Sequence, residues 1–412
     1  MILFSYIILG LQSFFFLLKS KGGISRTYWV FQLIFMSFVP YIQYSNNIVP
    51  WDFKKPVDSS YIITNISLFL ANLFFFVLTF KRTTYINSHY SLVIDILYKN
   101  NKKNLNFPIL PVALSLISCG FWFAINGIPT LNQLIFRVAD SDNVGMELTS
   151  SISLLSETIR YIPFMSFLIY YINFPKSKIL NIVFIFIIIV TCPPTAISRF
   201  MAGTIYFTIL VLFYPRLLIG YRLPILIALG FAILFPIIDE LRVFTRDINL
   251  INALSFKYFL TGNYDSYNSL AVAIDQNVIT YGKQLLGVLL FFIPRVLWNN
   301  KPVGSGSYIA DLNHLNFTNI SFNYYAEGFI NFGFLGIIFF SIILGLVVKF
   351  IESTLRLSER NKYRQFYVIL YLILIPYILF ILRGDLMSSI SFFCAILFSL
   401  IFVFFSQKSI FK

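Results

Sequence analysis

Apolar residues in this chain come in long runs that polar residues interrupt. Eleven such runs stand out, at roughly 2–18, 28–44, 61–80, 108–126, 151–174, 179–197, 201–214, 223–238, 323–348, 366–382 and 387–406. Most approach the roughly 20 residues that an α-helix needs to cross a hydrocarbon core. The runs lack the period of two that a membrane β-barrel requires. The pattern predicts an all-α polytopic membrane protein with about eleven transmembrane helices. A further apolar run near 285–298 is only about 14 residues long, which is short for a span. No repeat of fixed period is visible.

Composition agrees with this pattern. Hydrophobic residues make up 58% of the chain, charged residues 12%, and the mean hydropathy is +0.80. A soluble domain is about half apolar and about a quarter charged. So much apolar surface cannot be hidden inside one globule. Lipid offers no partner to a bare peptide group, which leaves helices or closed barrels, and the missing period of two selects helices.

The net charge of +14 has a topological explanation. Lys19, Lys21 and Arg26 follow the first apolar run, and no cation precedes it. Cytoplasmic connections are the ones enriched in Lys and Arg, so the N-terminus is expected outside and the C-terminus inside. Alternating from there, 19 of the 31 Lys and Arg fall in cytoplasmic connections, against three of the 17 acids. The basic balance thus reflects orientation, and nucleic acid is not an expected partner. If 285–298 crossed the membrane, the basic stretch Lys349–Arg364 would be forced outside. That run is therefore read as a re-entrant or interfacial element. Three regions follow: an N-terminal bundle of about eight helices (1–238), an external loop (239–322) of about 84 residues, and about three C-terminal helices (323–412). A long external insertion in a compact bundle is where function is expected.

Candidate chemistry clusters in that loop. Arg242, Arg246, Arg295 and Lys301 are cations on the side that usually lacks them. A guanidinium presents a fork of donors suited to phosphate. Surface pairing with Asp239, Glu240 or Asp247 is the alternative for Arg242 and Arg246. Arg199 and Arg383 stand at the outer ends of their helices and extend the set. Trp298, Tyr324 and Tyr325 can stack on sugars, or simply form an interfacial aromatic belt. Gly304 and Gly306, in KPVGSG, let backbone N–H groups approach an anion. Asp265, Asp275, Asp311, Glu327 and His314 are candidate bases, with Glu327 ranked ahead of Asp265 and His314 third. Glu157 and Arg160 share one face of the fifth helix and are either a structural ion pair or a functional one. The cysteines, Cys119, Cys192 and Cys394, lie within apolar runs, and the two histidines cannot form a helical metal pair. No metal or other cofactor is expected.

Four segments carry a resemblance to a known family: GNYDSY (262–267), YGKQLLGVLLFFIPRVLWNNKPVGSG (281–306), NFTNIS (316–321) and YYAEGFINFGFLG (324–336). Together they resemble the Wzy-type O-antigen and capsule polymerases, the oligosaccharide repeat unit polymerases. The resemblance is strongest over residues 262–336 and extends to the rest only as hydropathy. It implies a glycosyltransferase similar to the GT-C class, at the outer face of the bacterial inner membrane. A glycan on undecaprenyl diphosphate would be the donor and a lipid-linked repeat unit the acceptor. The arginines would meet the diphosphate leaving group without a metal. A chain-length regulator and a flippase would be partners besides the bilayer. A lipid-linked glycan flippase and an O-antigen ligase are the alternatives.

Overall fold

The computed structural model describes residues 1–80, 93–94, 108–130, 134, 150–174, 177–241, 254–357 and 363–410. Each of the eleven apolar runs forms helix over most of its length, though the helix in 179–197 stops at Thr191. They are α1 (Ile2–Lys19), α2 (23–45, with a π turn at Ile34–Phe38), α3 (Asp58–Thr79), α4 (Ile109–Asn126), α5 (Ser150–Asn173), α6 (Lys178–Thr191), α7 (Arg199–Phe213) and α8 (222–241). Three short helices follow in the loop region: α9 (Ser266–Asp275), α10 (Lys283–Leu289) and α11 (Ser305–Leu312). The chain ends with α12 (Tyr324–Leu357), α13 (Arg364–Arg383) and α14 (Leu386–Ile410). Local chemistry starts several of them: Ser177 and Ser198 accept from the backbone N–H groups of Leu180 and Met201 at the starts of α6 and α7.

Among the described residues, eight helices are long and apolar enough to cross a membrane: α1, α3, α4, α5, α8, α12, α13 and α14. α6 and α7 are apolar but shorter. This is a polytopic helical membrane protein. The core of the bundle is α13, whose apolar stretch is 72% buried, packed by α2, α7 and α12. α4 is 17% buried and forms part of the rim. α2 is buried although it carries Arg26, Gln32 and Gln43, so interior packing rather than hydropathy defines it.

Helix ends meet alternately at two ends of the bundle. At one end, Glu352 accepts from the Ser25 backbone N–H at 3.0 Å and closes the start of α2. Arg26 there donates to the carbonyls of Ser20 (3.0 Å) and Gly220 (2.5 Å). At the other end lies the loop region. It is entered at Asp239, which pairs with Arg199. It is left at Asn323, which holds the N-terminus of α12 beside α9. Both junctions lie at the same end, and between them 285–298 folds as the seven-residue α10 and a set of turns. Seven helical residues span roughly 10 Å, far less than a bilayer core.

The expectation of one straight helix over 323–348 needs correction. α12 breaks at Phe332 (φ −141°) and Gly333 (φ 63°, ψ −149°). A left-handed φ is open to glycine because it has no Cβ to clash. Beyond the break, backbone packs on backbone: a Cβ on Gly328 would lie 2.6 Å from the Gly336 carbonyl oxygen. In an unbroken helix those residues would be roughly 12 Å apart. The break frees helical carbonyls, and the α10 region satisfies them. The N–H groups of Thr280 and Gly282 donate to the carbonyls of Ile330 and Asn331 at 2.6 and 3.1 Å. The Asn331 side chain accepts from the Leu285 N–H at 2.8 Å. The short first half, 324–331, is thereby tied to the loop region, and 334–357, roughly 36 Å long, remains as the span.

Candidate functional site

Two groups of charged side chains form at the loop-bearing end. The first is charge-matched. Arg199 donates to Asp239 (2.9 Å), Tyr258 (3.2 Å) and the Asn263 side chain (2.6 Å). Arg383 donates to the Asn263 carbonyl (3.2 Å) and to Asp265 (3.2 Å). The guanidinium groups lie over Phe235 and Phe200, a contact favoured by the negative ring face. Asp265 is 2% exposed. Its carboxylate also accepts from Trp51 Nε1 at 2.6 Å and from the Ser321 N–H and hydroxyl. Two donors meet each oxygen, so the usual acceptor positions are filled.

Trp51 is a member that sequence reasoning passed over, and Asp239, named there only as a surface partner for Arg242 or Arg246, pairs with Arg199. Trp51 and Asp52 both adopt left-handed backbone, φ 64° and 55°, which is costly for non-glycine residues and is held here by the surroundings. Gly262 makes room for the indole: a Cβ there would collide with the ring. The signal available was a tryptophan within a polar connection, NNIVPWDFKKP.

The second group has carboxylates without cations. Glu327 is fully buried. It accepts from the Ser305 hydroxyl at 2.8 Å and the Leu386 N–H at 3.1 Å. Next to it, Asp385 accepts from the N–H groups of Gly306 (2.9 Å), Met387 (2.9 Å) and Ser388 (3.4 Å). Burial pushes the Asp385 carboxyl up from its ordinary value, more than those N–H donors pull it down. Among the described residues, neither carboxylate forms an ion pair. The KPVGSG turn therefore does hold an anion with its backbone, but that anion is Asp385. Gly304 and Gly306 serve this contact. A Cβ on Gly304 would lie 2.7 Å from Asp385 Oδ2, and one on Gly306 would run into the Ile320 carbonyl. Asp385, in ILRGDL, could have been picked out as a carboxylate at a helix start.

A third element is the turn between α10 and α11. Lys301 is 8% exposed and donates to the carbonyls of Phe291 (2.5 Å) and Ile293 (2.8 Å). Burial lowers its pKa, with neighbouring Arg295 as a second cause. Arg295 is exposed and donates to the Lys301 carbonyl at 2.9 Å. Trp298 is half-buried nearby. A cavity of about 290 Å³ lies under this turn, against α5 and α14. Its walls include Lys301, Phe291, Glu157 and Ser388. Glu157 pairs with Arg160 at 3.1 Å.

Other expectations fare differently. Tyr324 and Tyr325 are buried and do not offer ring faces to a glycan. Tyr324 donates to the Phe340 carbonyl, and the Tyr325 hydroxyl bonds that of Tyr28. They are interior polar contacts between helices. Asp275 accepts from the Val57 N–H and the Ser60 hydroxyl at the start of α3, a capping role. His314 and Asp311 are exposed, with His314 at φ 54°. Arg242 and Arg246 lie outside the described residues. No group of three or more His, Cys, Asp or Glu among the described residues is arranged to hold a metal.

Compared with family models, curated proteins and solved structures, the chain matches none.

Proposed function

We propose that this protein is a polymerase of lipid-linked oligosaccharides, a membrane glycosyltransferase that transfers a polyprenyl-diphosphate-linked glycan onto a lipid-linked repeat unit. The observation that carries this reading is convergence. The segments that resemble the polymerases lie within residues 262–336, and hydrogen bonds join them to one another and to a distant helix corner at one end of the bundle: Asp265 to Ser321, Ser305 to Glu327, and Gly306 and Gly262 to the 383–385 corner. In this reading eleven helices cross the membrane, the loop-bearing end faces outward, and the C-terminus is cytoplasmic. The charge asymmetry supports that orientation. Single cysteines at Ser307 and Ser353 would label from outside and inside respectively; labelling of both from one side sinks the orientation.

The cations at this end meet the charge that develops on the departing diphosphate. Glu327 is ranked ahead of Asp265 as the acceptor of the attacking hydroxyl's proton. Its partners are one hydroxyl and one N–H, while the acceptor positions of Asp265 are filled. Glu327 is sealed in this state, so on this reading substrate entry parts the Ser305–Glu327 contact. The direct test is polymerisation by the purified full chain of a lipid-linked repeat unit, with mass analysis of products. Absence of any glycosyl transfer by a well-folded preparation overturns the reading. In cells, loss of the polymerase leaves single repeat units on the lipid anchor, whereas loss of a ligase or flippase leaves none.

A further inference from the structure

One segment, residues 305–321, contributes a serine to each of the two buried candidate bases. Its first residue, Ser305, donates its hydroxyl to Glu327 at 2.8 Å. Its last, Ser321, donates its hydroxyl and its backbone N–H to Asp265. Beside the first latch, the Gly306 N–H reaches Asp385 at 2.9 Å. The two ends of the segment meet: a Cβ on Gly306 would lie 2.4 Å from the Ile320 carbonyl oxygen. Within it α11 closes on itself, since the Leu315 N–H donates to the Ala310 carbonyl at 3.0 Å and His314 takes left-handed backbone. A loop whose ends meet and which packs on its own residues is a compact unit of the Ω type.

This unit is lightly attached. Among the described helices none packs along α11, and most residues from Asp311 to Asn319 are exposed. Its outer contacts include a reciprocal amide pair, Asn313 with Gln276 at 2.5 and 3.1 Å, and Phe317 stacked on Trp51 with ring centroids 5.3 Å apart. Its neighbours are built otherwise. Residues 324–331 are buried throughout, and the Asn323 side chain holds the N–H groups of Tyr325 and Ala326 at 2.8 and 2.9 Å. Segments with few packed helices and exposed backbone are the ones that open before the rest of a fold. Opening here would leave Asp265 its ion pair with Arg383 and its bond from Trp51. Glu327 would keep only the Leu386 N–H. A base must stand roughly 2.6–3.2 Å from the hydroxyl that it deprotonates, and in this state the Ser305 hydroxyl stands there.

We propose that residues 305–321 form a lid, with Ser305 occupying in the closed state the place that an acceptor hydroxyl takes beside Glu327 in the open one. The part played by Glu327 rests on the polymerase reading; the lid rests on the contacts alone.

The test pins the lid through side chains outside its latches. Ser307 and Ser388 flank the Asp385 contact, because the N–H groups of Gly306 and Ser388 donate to the two oxygens of that carboxylate. Ser307→Cys and Ser388→Cys are combined in the full chain, with Cys119, Cys192 and Cys394 replaced by alanine, and joined by a short bifunctional reagent that a reductant cleaves. The joined protein is expected to lose polymerisation and to regain it on cleavage. Undiminished polymerisation by fully joined protein overturns the lid and leaves the polymerase reading standing. Hydrogen exchange gives a readout without turnover. In the wild type the bonded amides of α11 and Ser321 are expected to exchange faster than those of α9 and of 324–331, and joining is expected to slow them. Exchange as slow as in those two helices overturns the lid, whatever the activity. Faster exchange in a folded protein that never polymerises keeps the lid and sinks the polymerase reading.

Discussion

Two sets of buried or half-buried carboxylates lie at the loop-bearing end, and they are built in opposite ways. Asp239 and Asp265 face Arg199 and Arg383. Glu327 and Asp385, whose neighbours are separated from Arg383 by only a residue or two of α13–α14 corner, face a hydroxyl and backbone N–H groups. Burying a carboxylate is costly unless a cation or several donors replace water. The matched set answers that cost with charge and works as a clamp between α7, α8, α13 and the 258–265 turn. The unmatched set answers it with dipoles alone, and no cation faces it. The opposite end of the bundle shows what a structural version looks like: Glu352 also closes a helix start, but buried Arg26 is among the groups that interact with it. A carboxylate pair kept without a cation is therefore the more informative feature, since perturbed acids gather at functional sites.

The comparison can be broken experimentally. The largest effect is expected for Glu327→Gln. The amide keeps the shape and can still accept from Ser305 or Leu386, so stability should stay within about 1 kcal/mol. Polymerisation should fall by roughly 10²–10⁴-fold if the carboxylate takes a proton in the reaction. Normal polymerisation removes Glu327 from the chemistry and leaves the pair a structural curiosity.

Arg383→Met should act on stability first. It strands Asp265 in the interior, a change that costs about 3–5 kcal/mol, visible as a large drop in melting temperature. Adding Asp265→Asn should recover most of the loss. A single variant as stable as Glu327→Gln would erase the contrast between the two sets.

Gly306→Ala drives a methyl into the Ile320 carbonyl and shifts the start of α11 away from Asp385. An overpacking penalty of about 1–3 kcal/mol is expected, again read by melting temperature. A silent substitution would mean that α11 is not held in the position described. Arg199→Lys keeps the charge but loses the fork that reaches Asp239 and Asn263 together. Because both members of this pair are partly exposed, with side chains 16% and 34% accessible, its effect should be near about 1 kcal/mol.

The smallest effect concerns pH. The folded Asp385 carboxyl binds its proton more tightly than the unfolded one. The folded state then carries more bound proton just above the ordinary carboxylate range, so this group makes stability fall as pH rises through that window. Asp385→Asn should flatten that part of the stability profile. A profile unchanged by the substitution would show that the carboxylate is better solvated than its burial indicates.

Much of the architecture was legible because hydropathy is a local property. All eleven apolar runs form helix over most of their length, and the apolar content of α1, α3 and α14 alone identified lipid as their surroundings. The pairing of Glu157 with Arg160 was legible for the same reason, since residues three apart share a helical face. The break in α12 was not, although the FG pair at 332–333 marks it. An apolar run looks the same whether its helix is straight or folded back, and the Gly328–Gly336 contact that accompanies the break is made across the turn. The site was legible only as residue types. Glu327, Asp265, Arg199, Arg383 and Lys301 stood out because charges are scarce in such a chain. Their partners did not, because Trp51 reaches Asp265 across 214 positions and Glu352 reaches Ser25 across 327. The sequence by itself determined a helical membrane protein and the set of ionisable groups placed at one of its ends. Only the tertiary structure decided which carboxylates would be met by arginines, which would be met by backbone alone, and that the anion held by the KPVGSG turn would come from the chain itself, because those contacts depend on where distant helix ends converge.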